Sequence, residues 1–391
     1  MNDDDSRSRT PSRRTLLGAM AASAAAGVPL LSAAPAEAAP GGAVDLLHVG
    51  SWTLGQVHAL RFDPSDATLT SVGPVAQTGS NWMTTHPTKG VLYATGGESG
   101  GTIRVFRVDK ATGALEQSGE IATQTTPANG GLSYIGVDVR SKTLLAADFA
   151  AGTVVSLPIG RDGGLGAVVS RVQDTGSGPH PRQTGPHAHH VVIDPSGRFA
   201  LVPDLGADRV FVHRFDRATQ TLSDGPSAYA TAPGSGPRRV VFHPRGRIVY
   251  LLNELTADIQ ALGWSPEDGV LTHLQSLSTD APGHTGTTSA AELAISRDGR
   301  FVYTSNRGEN TLVVFSTDGA TGLLTLVQRI PCAGLTPWSF SFHPSGKWLF
   351  VANQASGTVN LFGVDQHSGQ LTDTGTSVPV PRPACITFSR P

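Results

Sequence analysis

Side chains that can transfer protons or bind anions recur at equivalent positions of a repeated pattern between residues 187 and 354. These residues are His187, His189, Asp204, Arg238, Arg239, Glu254, Glu292, Asn306, Arg307 and Gln354. A carboxylate or an imidazole can move protons, while guanidinium groups can hold an anionic substrate or a developing oxyanion. Such residue types predict an active site that activates water with a general base, provided that the fold brings them together.

Each part of this set also has a structural interpretation. Arg238, Glu254 and Arg307 could form a buried ion-pair network that only supports the fold. Asn306 follows a predicted strand, where asparagine often bonds its own backbone in a turn. His187 and His189 are spaced as His-x-His, which on a strand places both rings on one face, as a metal site requires. No further cysteine or suitably spaced histidine accompanies them, so we expect neither a metal nor another cofactor.

Internal repeats predict the elements that position these residues. A hairpin turn followed by an apolar residue occurs seven times, at 63–69, 109–115, 160–165, 216–222, 265–271, 317–323 and 365–371. A second turn phrase precedes each of the last six, at 86–90, 138–141, 194–198, 243–247, 296–300 and 343–347. Short alternating apolar runs separate the turns, which is typical of strands. The period of about fifty residues predicts a β-propeller with one four-stranded blade in each unit.

The two ends of the propeller sequence are expected to complete one blade together. The first unit opens with an apolar run at 46–49 that matches the second strand of the other units, and no first strand precedes it. The missing strand is found at 383–388, which matches the first strand at 237–242. The fold predicted for residues 39–391 is therefore all-β, a single seven-bladed β-propeller whose ring is closed by the C-terminal strand.

This topology predicts where the reactive side chains meet. The first strand of each blade starts, and the second strand ends, at the same mouth of the central channel, because the two are antiparallel neighbours. In the fourth to sixth blades, His189, Arg238 and Glu292 lie on first strands, and Glu254 and Arg307 follow second strands. We therefore expect these side chains to converge, with the other members of the set beside them.

Residues 1–38 have the layout of a secretion signal. Arg13 and Arg14 precede an Ala-rich apolar segment that reaches Leu31, and Ala-Glu-Ala at 36–38 has the small-x-small form of a signal peptidase site. The paired arginines favour the twin-arginine export machinery, although the ordinary secretory route also accepts such a pair. We expect a secreted or extracytoplasmic protein with no membrane span after cleavage.

Composition limits the partners. Lys and Arg number 29 against 31 Asp and Glu, and no basic footprint for nucleic acid is present. The two cysteines, Cys332 and Cys385, could form one disulfide or remain as two buried thiols. We expect a monomer whose partner is a small molecule.

Several motifs taken together resemble the lactonase-family propellers, which include bacterial 6-phosphogluconolactonase and fungal carboxymuconate cyclase. The motifs are Gly-Pro-His-Ala-His at 185–189, Asp-Pro-Ser-Gly-Arg at 194–198, Gly-Pro-Arg at 236–238, Asn-Glu-Leu at 253–255 and Asn-Arg-Gly at 306–308. The resemblance implies a mouth site in which Arg238, Glu254, Arg307 and His187 or His189 act together. In a lactonase, Glu254 or a histidine would activate water, while the arginines would hold a carboxylate and stabilise the oxyanion.

Two positions depart from the family pattern. Arg239 stands where family members carry His, and Trp338 stands where Arg is usual. One anion contact is then replaced by an apolar wall, so the substrate need not be a sugar phosphate. Three functions remain open: hydrolysis of a sugar or related lactone, an intramolecular lyase reaction of the cyclase kind, and non-catalytic binding of a ligand or protein. The clustered charge favours an enzyme over a binding protein, and lactone hydrolysis is the function that we prefer.

Overall fold

The computed structural model describes residues 44–51, 55–96, 101–123 and 131–389. These residues form 28 β-strands and no helix, and the strands are arranged as seven four-stranded antiparallel sheets. The predicted seven-bladed propeller is therefore confirmed. The predicted leader at 1–38 lies outside the described residues, and within the described ranges no helix is long and apolar enough to cross a membrane.

The four strands of a blade are named A to D from the channel outward, and their bounds follow in that order. Blade 1 contains β28 (Pro383–Ser389), β1 (Asp45–Ser51), β2 (Val57–Asp63) and β3 (Thr68–Ala76). Blade 2 contains β4 (Met83–Thr85), β5 (Val91–Thr95), β6 (Thr102–Val108) and β7 (Leu115–Ala122). Blade 3 contains β8 (Leu132–Asp138), β9 (Thr143–Asp148), β10 (Thr153–Pro158) and β11 (Ser170–Gln173).

The remaining blades follow the same order. Blade 4 contains β12 (Val192–Ile193), β13 (Phe199–Asp204), β14 (Arg209–Asp216) and β15 (Thr221–Ala230). Blade 5 contains β16 (Pro237–Phe242), β17 (Ile248–Asn253), β18 (Asp258–Ser265) and β19 (Val270–Ser278). Blade 6 contains β20 (Ala290–Ile295), β21 (Phe301–Asn306), β22 (Thr311–Thr317) and β23 (Leu324–Pro331). Blade 7 contains β24 (Pro337–Phe342), β25 (Trp348–Asn353), β26 (Thr358–Val364) and β27 (Leu371–Pro379).

The C-terminal strand closes the ring as predicted. β28 pairs antiparallel with β1, and Val49 lies opposite Ile386 in their register. Ile386 and Phe388 are buried against blade 7. The strand that completes blade 1 therefore also contributes to the apolar contact between blade 1 and blade 7. The inner edge of β1 is therefore paired at the junction of the two ends.

Neighbouring blades are joined by an apolar core and by a repeated hydrogen bond. Apolar residues of one blade pack against those of the next, as Tyr250 and Leu252 of blade 5 pack with Phe315 of blade 6. A buried B-strand ring donates to a glycine carbonyl in the C–D turn of the following blade in four places: His48 to Gly113, Tyr93 to Gly163, Tyr250 to Gly322 and Tyr303 to Gly369. A buried tyrosine hydroxyl needs such a partner, so these bonds fix the angle between blades.

Two details go beyond the predicted pattern. The A strand of blade 4 is short: β12 has two residues, and Ala188 makes an isolated bridge to Asp204 upstream of it. The ladder is interrupted opposite Pro203. The carbonyl of Pro203 accepts a hydrogen bond from the backbone N–H of His189, but proline has no N–H with which to donate the second hydrogen bond of the pair. Cys332 and Cys385 are both free and buried, so the cysteines are two separate thiols. Burial raises the pKa of Cys332 to about 11 and that of Cys385 to about 12.

Candidate active site

β-bulges at the start of the A strands separate the channel side chains into two layers. In β16, Pro237 pairs with Asn253 and Arg239 with Leu252, so Arg238 is the extra residue. The residues at the same place in other blades are Ser133 in β8, Trp338 in β24 and Ala384 in β28. A bulge redirects the side chain that it adds. Consecutive residues such as Arg238 and Arg239 therefore reach different layers of the channel.

The upper layer is centred on Glu254, which follows β17. Its Oε2 accepts a hydrogen bond from Nη1 of Arg238 at 2.6 Å, and its Oε1 forms an ion pair with Nη2 of Arg307 at 2.8 Å. A third arginine, Arg182, donates to Oε1 at 2.5 Å from the segment before blade 4. The side chains of Glu254, Arg238 and Arg307 are 1%, 5% and 8% exposed, whereas that of Arg182 is 49% exposed. The predicted convergence of blades 4 to 6 thus takes place around one buried carboxylate.

The charges in this layer are unbalanced. Burial by itself would raise the pKa of Glu254, but Arg307, Arg238 and Arg182 together hold that pKa well below its usual range. Burial lowers the pKa of Arg238 to about 9, which still leaves the guanidinium protonated at neutral pH. Three cations therefore face one anion, so the layer has a net positive charge that an anionic ligand would neutralise.

His189 belongs to the upper layer and His187 lies beside it across the ring of Phe149, and the contacts of each ring determine its tautomer. Nε2 of His189 lies against Nη1 of Arg238, which can only donate, so Nε2 carries the lone pair and Nδ1 the proton. Burial and then Arg238 hold the pKa of His189 well below its usual value, which keeps the ring neutral. Nδ1 of His187 lies 2.6 Å from the carbonyl oxygen of Phe149, which can only accept, so the lone pair of His187 is on Nε2.

Aromatic rings surround these groups. The ring of Phe149 stacks on His187 with centroids 4.4 Å apart and meets His189 edge-on at 5.8 Å. Trp338 packs under Arg307, whose guanidinium carbon is 4.5 Å from the ring centroid. The apolar wall that the sequence predicted at Trp338 therefore also restrains a cation of the site.

The lower layer is formed by Arg239 and the residues around it. Arg239 donates to Oε2 of Glu292 at 3.0 Å, and its guanidinium carbon lies 4.0 Å from the ring of Trp82 and 4.9 Å from that of Tyr134. Trp82 precedes β4 of blade 2, three blades away from Arg239, so this side chain crosses the channel. The ring of His190 packs against that of Tyr134 with centroids 4.1 Å apart. This charge-balanced layer makes a floor beneath the upper one.

The other predicted site residues have different surroundings. Asp204 Oδ1 accepts the backbone N–H groups of His187 and Ala207. Asn306 donates to Asp280 and accepts from the N–H of Glu309, which corresponds to the turn role considered for it. Gln354 is buried, and its Nε2 has no hydrogen-bond partner among the described residues. Within the same ranges, no group of three or more His, Cys, Asp or Glu is arranged to hold a metal ion.

Arg182 is the main residue that sequence reasoning missed. It lies in the segment 174–187, between β11 and β12, which matches neither repeated phrase. That link is the longest between a D strand and the next A strand, and its length is the signal that could have drawn attention to it. Insertions on a propeller scaffold often carry function, because loops are where binding residues concentrate.

Comparison with known proteins identifies the family. Residues 46–388 match the family model described as lactonase, seven-bladed β-propeller. The chain belongs to this lactonase family. It is 29% identical over 347 residues to the 6-phosphogluconolactonase of Bacillus subtilis strain 168, with 87% of this chain and 97% of that protein covered.

Solved structures of similar sequence have the same fold as this chain. The periplasmic gluconolactonase of Pseudomonas aeruginosa is 32% identical with a TM-score of 0.81, covering 89% of this chain and 99% of that chain. A protein from Lactobacillus plantarum is 30% identical with a TM-score of 0.82, covering 88% of this chain and 99% of that chain. The predicted resemblance is thereby confirmed, and the interpretation as a lactonase-class enzyme agrees with the names of these relatives.

Proposed function

We propose that the protein hydrolyses a lactone bearing a carboxylate or a phosphate, at the channel mouth lined by the upper layer. The observation that supports this most directly is the convergence of Arg182, Arg238 and Arg307 on the single carboxylate of Glu254. The excess positive charge suits the anionic group of a substrate and the oxyanion of a tetrahedral intermediate. Relatives named as lactonases act on this chemical class of bond.

In this mechanism His187 is the general base. Both oxygens of Glu254 already accept hydrogen bonds from arginines, and its depressed pKa makes it a poor base. The lone pair of His189 is directed at Arg238. His187 keeps its Nε2 lone pair because Nδ1–H is bound to Phe149, and the carbonyl contact and the stacked ring orient the imidazole.

The reaction follows from these roles. His187 Nε2 takes a proton from water as the water oxygen bonds to the lactone carbonyl carbon, and Arg238 and Arg307 stabilise the resulting oxyanion. Collapse of the intermediate breaks the ring C–O bond, and the leaving oxygen recovers the proton from His187. The product is the open hydroxy acid, one water heavier than the lactone.

We also propose that this reaction takes place outside the cytoplasm. Arg13, Arg14 and the apolar segment after them support export, and one relative is named a periplasmic enzyme. A chain with both arginines changed to lysine is expected to accumulate uncleaved inside the producing cell. Normal export of that variant would contradict the twin-arginine route.

The test of the activity measures acid release from lactones near pH 6.5, where spontaneous opening is slow enough to subtract. The panel pairs neutral glucono-1,5-lactone with its 6-phospho and 6-carboxylate counterparts and with an aromatic lactone. We expect turnover of the anionic members, and His187→Gln to lower kcat by about 10²-fold or more. His273→Gln, which removes an exposed imidazole on β19, is the control and should have wild-type activity.

The alternative functions give different outcomes. A lyase would produce an isomer of unchanged mass, and a binding propeller would show affinity without turnover. Absence of hydrolysis across the panel would reject the proposal. Full activity in the His187→Gln protein would reject the assignment of the base.

A further inference from the structure

The segment 174–187 contains both Arg182 and His187. Its two ends lie at two buried carboxyl groups, those of Asp174 and Asp204. Asp174 directly follows β11 and begins the segment, and Asp204 ends β13 beside the end of the segment. Asp174 is 1% exposed and Asp204 is fully buried, and each carboxyl group lies close enough to the other to affect its pKa. Two carboxylates can share a hydrogen bond only if one of them keeps a proton.

The remaining contacts of this pair lead directly to the site. Oδ1 of Asp204 accepts the backbone N–H of His187 at 2.7 Å and that of Ala207 at 2.8 Å. Oδ1 of Asp174 accepts from Nε2 of His213 at 3.0 Å. The second oxygens, Oδ2 of Asp174 and of Asp204, are buried and have no hydrogen-bond partner among the described residues. These are the atoms available to share the proton.

The electrostatic surroundings favour a proton on the carboxyl pair. Burial raises the pKa of Asp174 to about 8, and burial together with the charge of Asp174 raises the pKa of Asp204 to about 7. Burial lowers the pKa of His213 to about 4, against the opposing charge of Asp224 on β15. At neutral pH the imidazole of His213 is therefore neutral and donates through Nε2–H.

Other buried acids near the pair are engaged elsewhere. Asp148, at the end of β9, accepts the N–H groups of Ala150 and Ala151 in its own turn. Asp208, in the turn after β13, accepts from Gln183 in the middle of the segment.

We propose that Asp174 and Asp204 are positioning residues, which by sharing one proton hold the base of segment 174–187 closed and so place His187 and Arg182 at the mouth. Loss of the proton leaves two buried negative charges in contact, and their repulsion opens the base of the segment. The effect on catalysis rests on the proposed function, whereas the effect on the segment does not.

The direction of the pH effect follows from the pKa values of the folded protein. Both are raised above the ordinary value of 3.8, so the stabilisation by the pair is full below about pH 4 and is lost as the pH rises through about 7 to 8. We expect alkaline pH to loosen the segment and to lower kcat/KM together. The loss should be about tenfold for each pH unit above the higher pKa, until the segment is fully open.

Hydrogen–deuterium exchange of peptides covering 174–190, corrected for the intrinsic pH dependence of exchange, measures the segment without any substrate. In the wild-type protein we expect protection to fall by about tenfold or more between pH 6 and pH 9. In Asp174→Asn the amide donates to Asp204 and still accepts from His213, so protection should persist at both pH values. Its kcat/KM should stay within about twofold of wild type at pH 6 and lack the alkaline decline.

Two further variants complete the experiment. Asp174→Ala removes the hydrogen bond, and we expect protection to be lost at both pH values and kcat/KM to fall by about tenfold or more. If the Asp174→Ala protein does not fold, the Asp174→Asn protein alone tests the positioning role. Asp216→Asn removes a carboxylate from an exposed turn of the same blade and should keep the wild-type pH dependence.

The outcomes separate this inference from the proposed function. Wild-type protection that is equal at the two pH values, or an Asp174→Asn protein that loses protection as the wild type does, would overturn the positioning role. The expected exchange pattern without hydrolysis of any lactone would support the positioning of the segment and reject the lactonase proposal.

Discussion

At the scale of single residues, the contacts of Glu254 decide which groups can act as a base. Its carboxylate pairs with three arginines, which hold its pKa well below the usual range and make it a poor base. His187, the proposed base, is instead held by the carbonyl of Phe149, and His189 lies against Arg238. A carboxylate, two imidazoles and three guanidinium groups thus have distinct roles because each has different hydrogen-bond partners.

The role of Glu254 predicts how its replacement changes stability. Glu254→Gln leaves the cations of the upper layer without an anion, and at pH 7 we expect the free energy of unfolding to fall by about 3 kcal/mol or more. Because the pKa of Glu254 is depressed in the folded state, the difference from wild type should be full above about pH 5 and shrink as the pH falls below 4.5. Urea denaturation at several pH values measures this.

The control for this prediction is Glu267→Gln, which breaks the exposed pair with Arg247. Its unfolding curve should coincide with that of the wild type, since exposed pairs contribute little. Equal stability of the Glu254→Gln and wild-type proteins would mean that the arginines are not restrained by this carboxylate. Added phosphate should restore part of the lost stability, because it replaces the missing anion.

At the scale of elements, the bulged entry to β16 sets the geometry of the upper layer. Gly236 has a φ of +65°, and its carbonyl accepts the N–H of Glu254 at 2.7 Å. Its own N–H donates to Asp208 at 2.9 Å. This glycine therefore connects the turn after β13 to the residue at the centre of the site, immediately before the bulge that directs Arg238 inward.

Replacement of Gly236 by alanine is expected to disturb the site. A Cβ there would lie 2.6 Å from Cγ of Leu255, in addition to the strain of a positive φ. Gly283→Ala is the matched control, because Gly283 has a φ of +80° and open space around it. We expect Gly283→Ala to cost about 1 kcal/mol and Gly236→Ala to cost more.

Activity provides a second readout of the same pair of variants. Only Gly236→Ala should also lower kcat/KM, because it moves Glu254 and Arg238 relative to one another. Thermal unfolding and lactone hydrolysis of the two proteins measure the two effects. Indistinguishable behaviour of the variants would show that the entry to β16 tolerates the shift.

At the scale of the whole molecule, one strand closes the ring. β28 pairs with β1 and buries Ile386 and Phe388 against blade 7. The A strand of every blade then has the A strands of two neighbouring blades beside it. This arrangement keeps the side chains of each channel layer at the same height. The site of blades 4 to 6 depends on this closure although it lies away from the junction.

Deletion of residues 381–391 tests the closure. It exposes the inner edge of β1 and removes two large apolar side chains from the core, and we expect a loss of at least about 3 kcal/mol in the free energy of unfolding. Size-exclusion chromatography should show association of the truncated chain through that edge, whereas a chain that ends at Ser389 should elute as the full-length protein does. A truncated protein of unchanged stability and size would contradict the role of β28.

Much of the fold could be predicted from the sequence because each blade repeats the same local chemistry. Turn residues and alternating apolar runs act over a few residues, and their spacing alone indicated seven four-stranded units and the C-terminal closing strand. The convergence of Arg238, Glu254, Arg307 and His189 followed from strand polarity, since equivalent positions in neighbouring blades must lie at one mouth.

Other properties were decided only by the tertiary structure. Arg182 lies outside the repeats, the bulges send Arg238 and Arg239 to different layers, and Arg239 reaches Trp82 across the channel. The shifted pKa values of Glu254 and Asp174, on which the proposed roles rest, depend on burial and on partners from distant parts of the chain. The sequence by itself thus determined the blades and the mouth, because local periodicity specifies them. The protonation and pairing of the side chains at that mouth arise from contacts between residues far apart in sequence, which only the closed ring brings together.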